Sequence, residues 1–182
     1  MQSPADSSDG PPKTAKDWSY GYGRYDQVTQ RAADFKPLPH FTGTAWQGGA
    51  AWPDPKLGWV QLTATGGHPG NDRQHASIRR WTAPRAMSIQ IHSQAVHEAA
   101  PGDGIRVFVV SSRHGLLQTA ILHQKTADLN YEPLSVDAGE TIDFICDIGD
   151  VLNSDQHFWR IQLREVGASS EAIAKNQGEQ WN

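Results

Sequence analysis

Met87-Ser88-Ile89-Gln90-Ile91-His92-Ser93-Gln94-Ala95-Val96-His97 is the stretch that decides the fold. Met87, Ile89, Ile91 and Ser93 point one way, and Ser88, Gln90 and His92 the other. Period-two alternation belongs to a strand with one face on a core and one face in water. The spacing predicts a strand over 86–97.

The same reading extends in both directions. Upstream, 58–64 alternates, 76–81 is a strand closed by Pro84, 41–46 is a short strand, and the Gly- and aromatic-rich 17–25 holds the first strand. Loops are expected at 47–57, where Trp52-Pro53-Asp54-Pro55 excludes helix, and at 66–71, where Gly66-Gly67-His68-Pro69-Gly70 permits close backbone approach. Downstream, 105–111 and 116–124 flank an Arg113-His114-Gly115 hairpin turn. Further strands fall at 134–136, 141–147 and 157–166, with a polar loop over 149–156. About nine or ten short strands, with turn signals every 8–12 residues or so, predict an all-β chain: an antiparallel β-sandwich with jelly-roll spacing. Residues 1–16 read as a disordered linker, 17–167 as the sandwich, and 168–182 as a tail or short helix. The linker-like opening reads as part of something longer.

Composition narrows the function classes. A chain of 182 residues is one domain's length, with a net charge of -4 and 16 Lys and Arg spread along it. Nucleic-acid binding needs a clustered basic face, and none is present. No apolar run approaches the roughly 20 residues of a membrane span, so no membrane insertion is expected. Cys146, alone in its type, excludes an internal disulfide, a Cys-based zinc site and c-type haem attachment within this chain. It reads as a buried strand thiol.

Seven tryptophans exceed what is usual, and those outside the core are candidates for stacking. In Ile78-Arg79-Arg80-Trp81, alternation puts Arg79 and Trp81 on one face and Arg80 on the other. A guanidinium fork suits hydroxyls or carboxylates, and an indole suits the C–H face of a sugar. Arg79 with Trp81 is the expected contact pair, with Arg80 and the His68 loop as the fallback. The eight histidines lack metal-ligand spacing. Asp143, Asp147, Asp150 and Asp155 lie close in sequence; they cap turns, hold a structural Ca²⁺, or form a glycosidase pair. No G-x-S-x-G is present and no accessible Cys/His pair is expected, so no catalytic site is assigned.

Trp46, Leu57-Gly58-Trp59, Gly66-Gly67-His68-Pro69-Gly70, Ile78-Arg79-Arg80-Trp81, Gly102-Asp103-Gly104-Ile105, Gly139-Glu140-Thr141-Ile142-Asp143-Phe144 and Asp155-Gln156-His157-Phe158-Trp159 occur in this order. The series resembles a β-sandwich segment of large planctomycete multidomain proteins that carry c-type cytochromes. More loosely, it is similar to jelly-roll accessory domains of polysaccharide-degrading enzymes. The resemblance implies a non-catalytic carbohydrate-binding module, periplasmic or extracellular, fused to a redox protein whose haem lies outside this chain. The expected ligand contacts are Trp46, Trp52, His68, Arg79, Arg80, Trp81, Asp155 and Trp159, with no cofactor beyond a structural Ca²⁺. The alternatives are a domain that docks other parts of the parent protein, and a glycan-active enzyme.

Overall fold

The computed structural model describes residues 16–167 and the backbone of 172–176. The expected linker, up to residue 15, and most of the expected tail lie outside the described residues. Fifteen strands are described: β1 (Trp18–Asp26), β2 (Arg31–Pro37), β3 (His40–Phe41), β4 (Ala45–Gln47), β5 (Gln61–Thr63), β6 (Gly66–His68), β7 (Ala76–Thr82), β8 (Met87–His97), β9 (Ile105–Ser111), β10 (Gly115–Leu122), β11 (Lys125–Asp128), β12 (Tyr131–Val136), β13 (Thr141–Ile148), β14 (His157–Glu165) and β15 (Ala172–Asn176). One 3₁₀ turn, Arg73–His75, precedes β7. No helix among the described residues is long and apolar enough to cross a membrane.

All pairings are antiparallel. The first sheet runs β10-β9-β13-β7-β1-β2; the second runs β11-β8-β14-β6-β5-β4-β3, with β12 also on β8 and β15 also on β14. The chain is an antiparallel β-sandwich, as the alternation predicts. Three local expectations change. The 41–46 strand is a tight hairpin of β3 and β4, with Phe41 opposite Trp46. The glycine-rich loop begins as a strand: β6 pairs with both β5 and β14. A Cβ on Gly66 would stand 2.0 Å from the His157 carbonyl oxygen, and one on Gly67 would stand 2.4 Å from that of Gln61. The glycines serve close strand approach rather than an open loop. The short helix expected near the C-terminus is β15, which pairs its backbone with β14 from Ile161 to Arg164 and covers a sheet edge otherwise left open.

The core lies between the sheets. On β8, Ile89, Ile91 and Ala95 are fully buried, and Ser93 joins them by donating its hydroxyl to the Leu129 carbonyl at 2.8 Å. Trp18, Tyr20, Trp81 and Phe144 of the first sheet meet Trp46, Leu62, Trp159 and Ile161 of the second. Phe144 stands edge-on to Trp159 at 5.7 Å. Each such side chain contributes about 1.5–3 kcal/mol through burial, and the aromatics more.

One cation crosses this core. Arg79 points inward from β7, 1% exposed, and donates to the carbonyl oxygens of Thr63 (2.8 Å) and Gly66. Those two residues flank the β5–β6 turn, so the guanidinium clasps one sheet to the other. Burial lowers its pKa to about 10, which leaves it charged at neutral pH. Nearby, Cys146 is buried as predicted, with Sγ 3.3 Å from His157 Nδ1.

The outer face of the first sheet is sealed. Arg80 spans the Asp143 carboxylate at 2.7 and 3.1 Å and lies 4.0 Å over the Phe35 ring. Arg106 holds Asp147 at 2.8 and 2.7 Å, and Tyr25 stacks on Phe108 at 4.1 Å.

Two predictions follow from this core. Replacing Arg79 with Met leaves two buried carbonyls without their donor, and the unfolding free energy falls by about 2–4 kcal/mol. Urea denaturation measures this, and a loss below about 0.5 kcal/mol would show that the clasp is not structural. The second concerns acid. Burial, then the Arg79 guanidinium, lowers the His157 pKa from 6.5 to about 3. At His157 the folded state therefore binds fewer protons than the unfolded state between about pH 6.5 and 3. The contribution is complete above about pH 6.5 and is lost as pH falls toward 3. Between about pH 7.5 and 4.5 this costs roughly 2–3 kcal/mol, and His157→Gln flattens that limb of the stability profile. An acid limb equally steep in the variant would assign the loss to other groups.

Candidate functional site

The second sheet has an open outer face. Above β6, between the β4–β5 loop and the β13–β14 loop, lies a cleft of about 490 Å³. Trp52, Trp59 and His68 form one side, and Leu152, Asn153, Ser154 and Gln156 form the other.

The indole side is built by Asp54. Its carboxylate accepts the backbone N–H groups of Lys56 and Leu57 at 2.8 Å each, and Asp54 and Gly58 exchange backbone hydrogen bonds at 2.9 Å. Gly58 takes a φ of +62°, which closes this small turn and delays β5 to Gln61. Trp59 is thereby left in the loop, its N–H bonded to Asn71 Oδ1 at 3.0 Å. Trp52 then donates Nε1–H to the Trp59 carbonyl at 3.0 Å, and the two indoles meet edge-to-face at 4.9 Å. Trp52 remains 39% exposed.

His68 lies 6.1 Å from Trp52 and 5.7 Å from Trp59, ring centre to ring centre. Its Nδ1 is 2.6 Å from the Pro69 carbonyl, so that nitrogen carries the proton and Nε2 is an acceptor. Burial lowers its pKa, which keeps the ring neutral near pH 7.

The opposite wall is tethered from three directions. Asp103 accepts the N–H groups of Asp150 (2.5 Å) and Val151 (3.3 Å). Arg73 donates to the Gly149 carbonyl at 3.0 Å and to the Asp150 carboxylate at 2.7 Å. His97 bonds the Ser154 carbonyl at 2.9 Å. Underneath, Asp155 accepts the Asn153 N–H at 2.9 Å, and burial, with Asp103 nearby, raises its pKa to about 6. Chemically, the cleft sets an apolar indole edge and a neutral imidazole against a wall of amides and a hydroxyl. That combination suits a ring with one apolar face and a hydroxylated rim.

Of the predicted site residues, Trp52 and His68 meet here. The others do not reach the cleft. Trp46, Trp81 and Trp159 are at most 5% exposed in the inter-sheet core, so no ligand can stack on them. Arg79 and Trp81 do share a face, but that face is the core, and Arg79 is spent on backbone carbonyls. Arg80 faces outward from the other sheet, neutralised by Asp143. Asp155 is fully buried and positions Asn153 instead of touching a ligand. The sequence pattern, which predicts a strand over 58–64, does not single out Trp59, nor Leu152, Asn153, Ser154 and Gln156 of the opposite wall. Gly58 beside the Pro-flanked loop is the signal that a turn rather than a strand carries Trp59.

The carboxylates also separate. Asp143, Asp147 and Asp150 pair with Arg80, Arg106 and Arg73. Among the described residues no three His, Cys, Asp or Glu side chains converge as a metal site. The Cys146–His157 pair, which sequence reading did not expect, is enclosed; burial pushes the thiol pKa up, so no thiolate is available.

No family model matches the chain, and no curated protein matches it. Two solved structures bear a slight likeness. The PA14 sugar-binding domain of an RTX adhesin aligns with a TM-score of 0.35 at 14% identity, covering 57% of this chain and 54% of its own. The PA14 domain of the antifreeze protein MpAFP aligns with a TM-score of 0.36 at 14% identity, covering 89% and 86%. Likenesses of this size assign no ligand to the chain.

Proposed function

We propose that this chain is a non-catalytic carbohydrate-binding domain that seats a sugar ring in the cleft between Trp52 and the 152–156 wall. The observation that carries the reading is the exposed Trp52 indole, held edge-on to Trp59 by its own N–H bond and facing a tethered polar wall. A preset aromatic face costs little ordering on binding, and an amide-lined rim can exchange hydrogen bonds with ring hydroxyls. His68 Nε2 accepts from a hydroxyl; Asn153 and Gln156 donate or accept. Affinities of micromolar to millimolar, about 4–8 kcal/mol, fit an open cleft of this kind. The periplasmic or extracellular setting and the cytochrome-bearing parent belong to the same reading and rest on sequence resemblance alone.

The test is affinity electrophoresis and calorimetry across soluble polysaccharides. Trp52→Ala, at a position 39% exposed, weakens binding at least tenfold, about 1.4 kcal/mol, with the far-UV circular dichroism spectrum unchanged. If no polysaccharide retards the wild type, or if Trp52→Ala binds as well as the wild type, the reading fails.

A further inference from the structure

The cleft does not end the binding surface. Gln156 lies just ahead of β14, and the alternation of that strand carries its outward row onward through Phe158, Arg160 and Gln162. Arg160 and Gln162 line a second cleft, of about 280 Å³, with His92, Gln94, Asp128 and Asn130. Phe158, 51% exposed, stands between the two. The neighbouring strand β8 supplies the second rail: Val96 lies opposite Phe158, Gln94 opposite Arg160 and His92 opposite Gln162. The seven residues from Gln156 to Gln162, six steps of strand rise, span about 20 Å, longer than any single sugar ring.

The lining identifies the occupant. Gln94 donates to Asp128 at 2.9 Å, which fixes both side chains. The Arg160 side chain makes no hydrogen bond or ion pair among the described residues and keeps a planar set of donors facing outward. One guanidinium, Arg160, and one carboxylate, Asp128, line this cleft, and the Glu132 carboxylate stands 3.8 Å from His92, so the lining carries no excess of positive charge and does not select for phosphate or sulfate. Its amides, carboxylate and guanidinium match vicinal hydroxyls. The apolar part of the row is a single phenyl ring beside a valine, too small a patch for a protein partner.

We propose that the two clefts form one groove along β14, which holds an extended stretch of a linear, neutral saccharide chain rather than a single sugar. The inference rests on the carbohydrate-binding reading of the Trp52 cleft. The Trp52 end takes one ring by its face, Phe158 supports the middle, and Arg160 with Gln94, Asp128 and Gln162 bonds hydroxyls at the far end.

Calorimetric titration with cello-, xylo- and laminari-oligosaccharides of two to six units tests the length dependence, with alginate oligomers as the anionic comparison. In the series that binds, affinity rises at least tenfold from the dimer to the pentamer. Phe158→Ala and Arg160→Ala, both surface positions, lower hexamer affinity at least fivefold and leave dimer affinity unchanged, while Trp52→Ala lowers both. Circular dichroism confirms that each variant is folded. Length-independent affinity, or unaltered hexamer binding in Phe158→Ala and Arg160→Ala while Trp52→Ala weakens it, overturns the groove and leaves the cleft standing. Preferential binding of the alginate series overturns the neutral-chain assignment. Failure of every series to bind, or a Trp52→Ala variant indistinguishable from the wild type, overturns the cleft reading as well.

Discussion

A single guanidinium ties the two sheets together. Arg79 leaves the central strand of one sheet, crosses the apolar core and closes on the carbonyls at either side of the β5–β6 turn in the other. Enclosing a charge is costly unless every donor finds an acceptor, so the turn must sit where the fork can reach it. The position of β6 follows from that, and with it the place of His68 on the outer face. The same charge also constrains its neighbours. His157, close to Arg79 in the enclosed interior, must stay neutral, which is why acid bears on this region. Core and cleft floor are thus linked through one buried side chain.

The two outer faces have opposite characters. On the first sheet, ion pairs and a second apolar cluster, with Ile78, Phe108 and Ile145 under Tyr25 and Phe35, close the surface. On the second sheet, loops rise around β6 and leave the outward rows of β8 and β14 uncovered. The two faces thus differ in the distribution of partners: carboxylates matched by arginines on one, and on the other amides and the Arg160 side chain, which is unpaired among the described residues.

The sandwich itself was legible because alternation reports a strand whatever its partners are. The 86–97 and 141–147 readings needed only local residues, and β8 and β13 follow them closely. Alternation does not say which face is the core, however. Alternation puts Arg79 and Trp81 on one face, as observed, yet a buried arginine runs against the usual preference, so the pattern alone points the pair toward a ligand and not into the core. β6 was hidden for a different reason: its Gly-Gly pair has the composition of a loop, and only the approach of β14 explains it. Trp52 and His68 were legible as residue types suited to a site. Their meeting with residues 152–156 depends on tethers from Asp103, Arg73 and His97, which lie about 50 to 80 residues away in sequence and leave no local pattern.

Those tethers grip almost entirely by the backbone. Asp103 holds the amides of Asp150 and Val151, Arg73 holds the Gly149 carbonyl, and His97 holds the Ser154 carbonyl. The shape of the wall therefore rests mainly on its backbone, although Ser154, with a φ of +62° and its hydroxyl donated to Asn153 Oδ1 at 3.0 Å, is restricted in what can replace it. Exchange at Leu152 and Asn153 can alter the chemistry that the wall presents to the cleft without refolding the loop or disturbing the sandwich. The scaffold separates the part that must be kept from the part that is free to diversify.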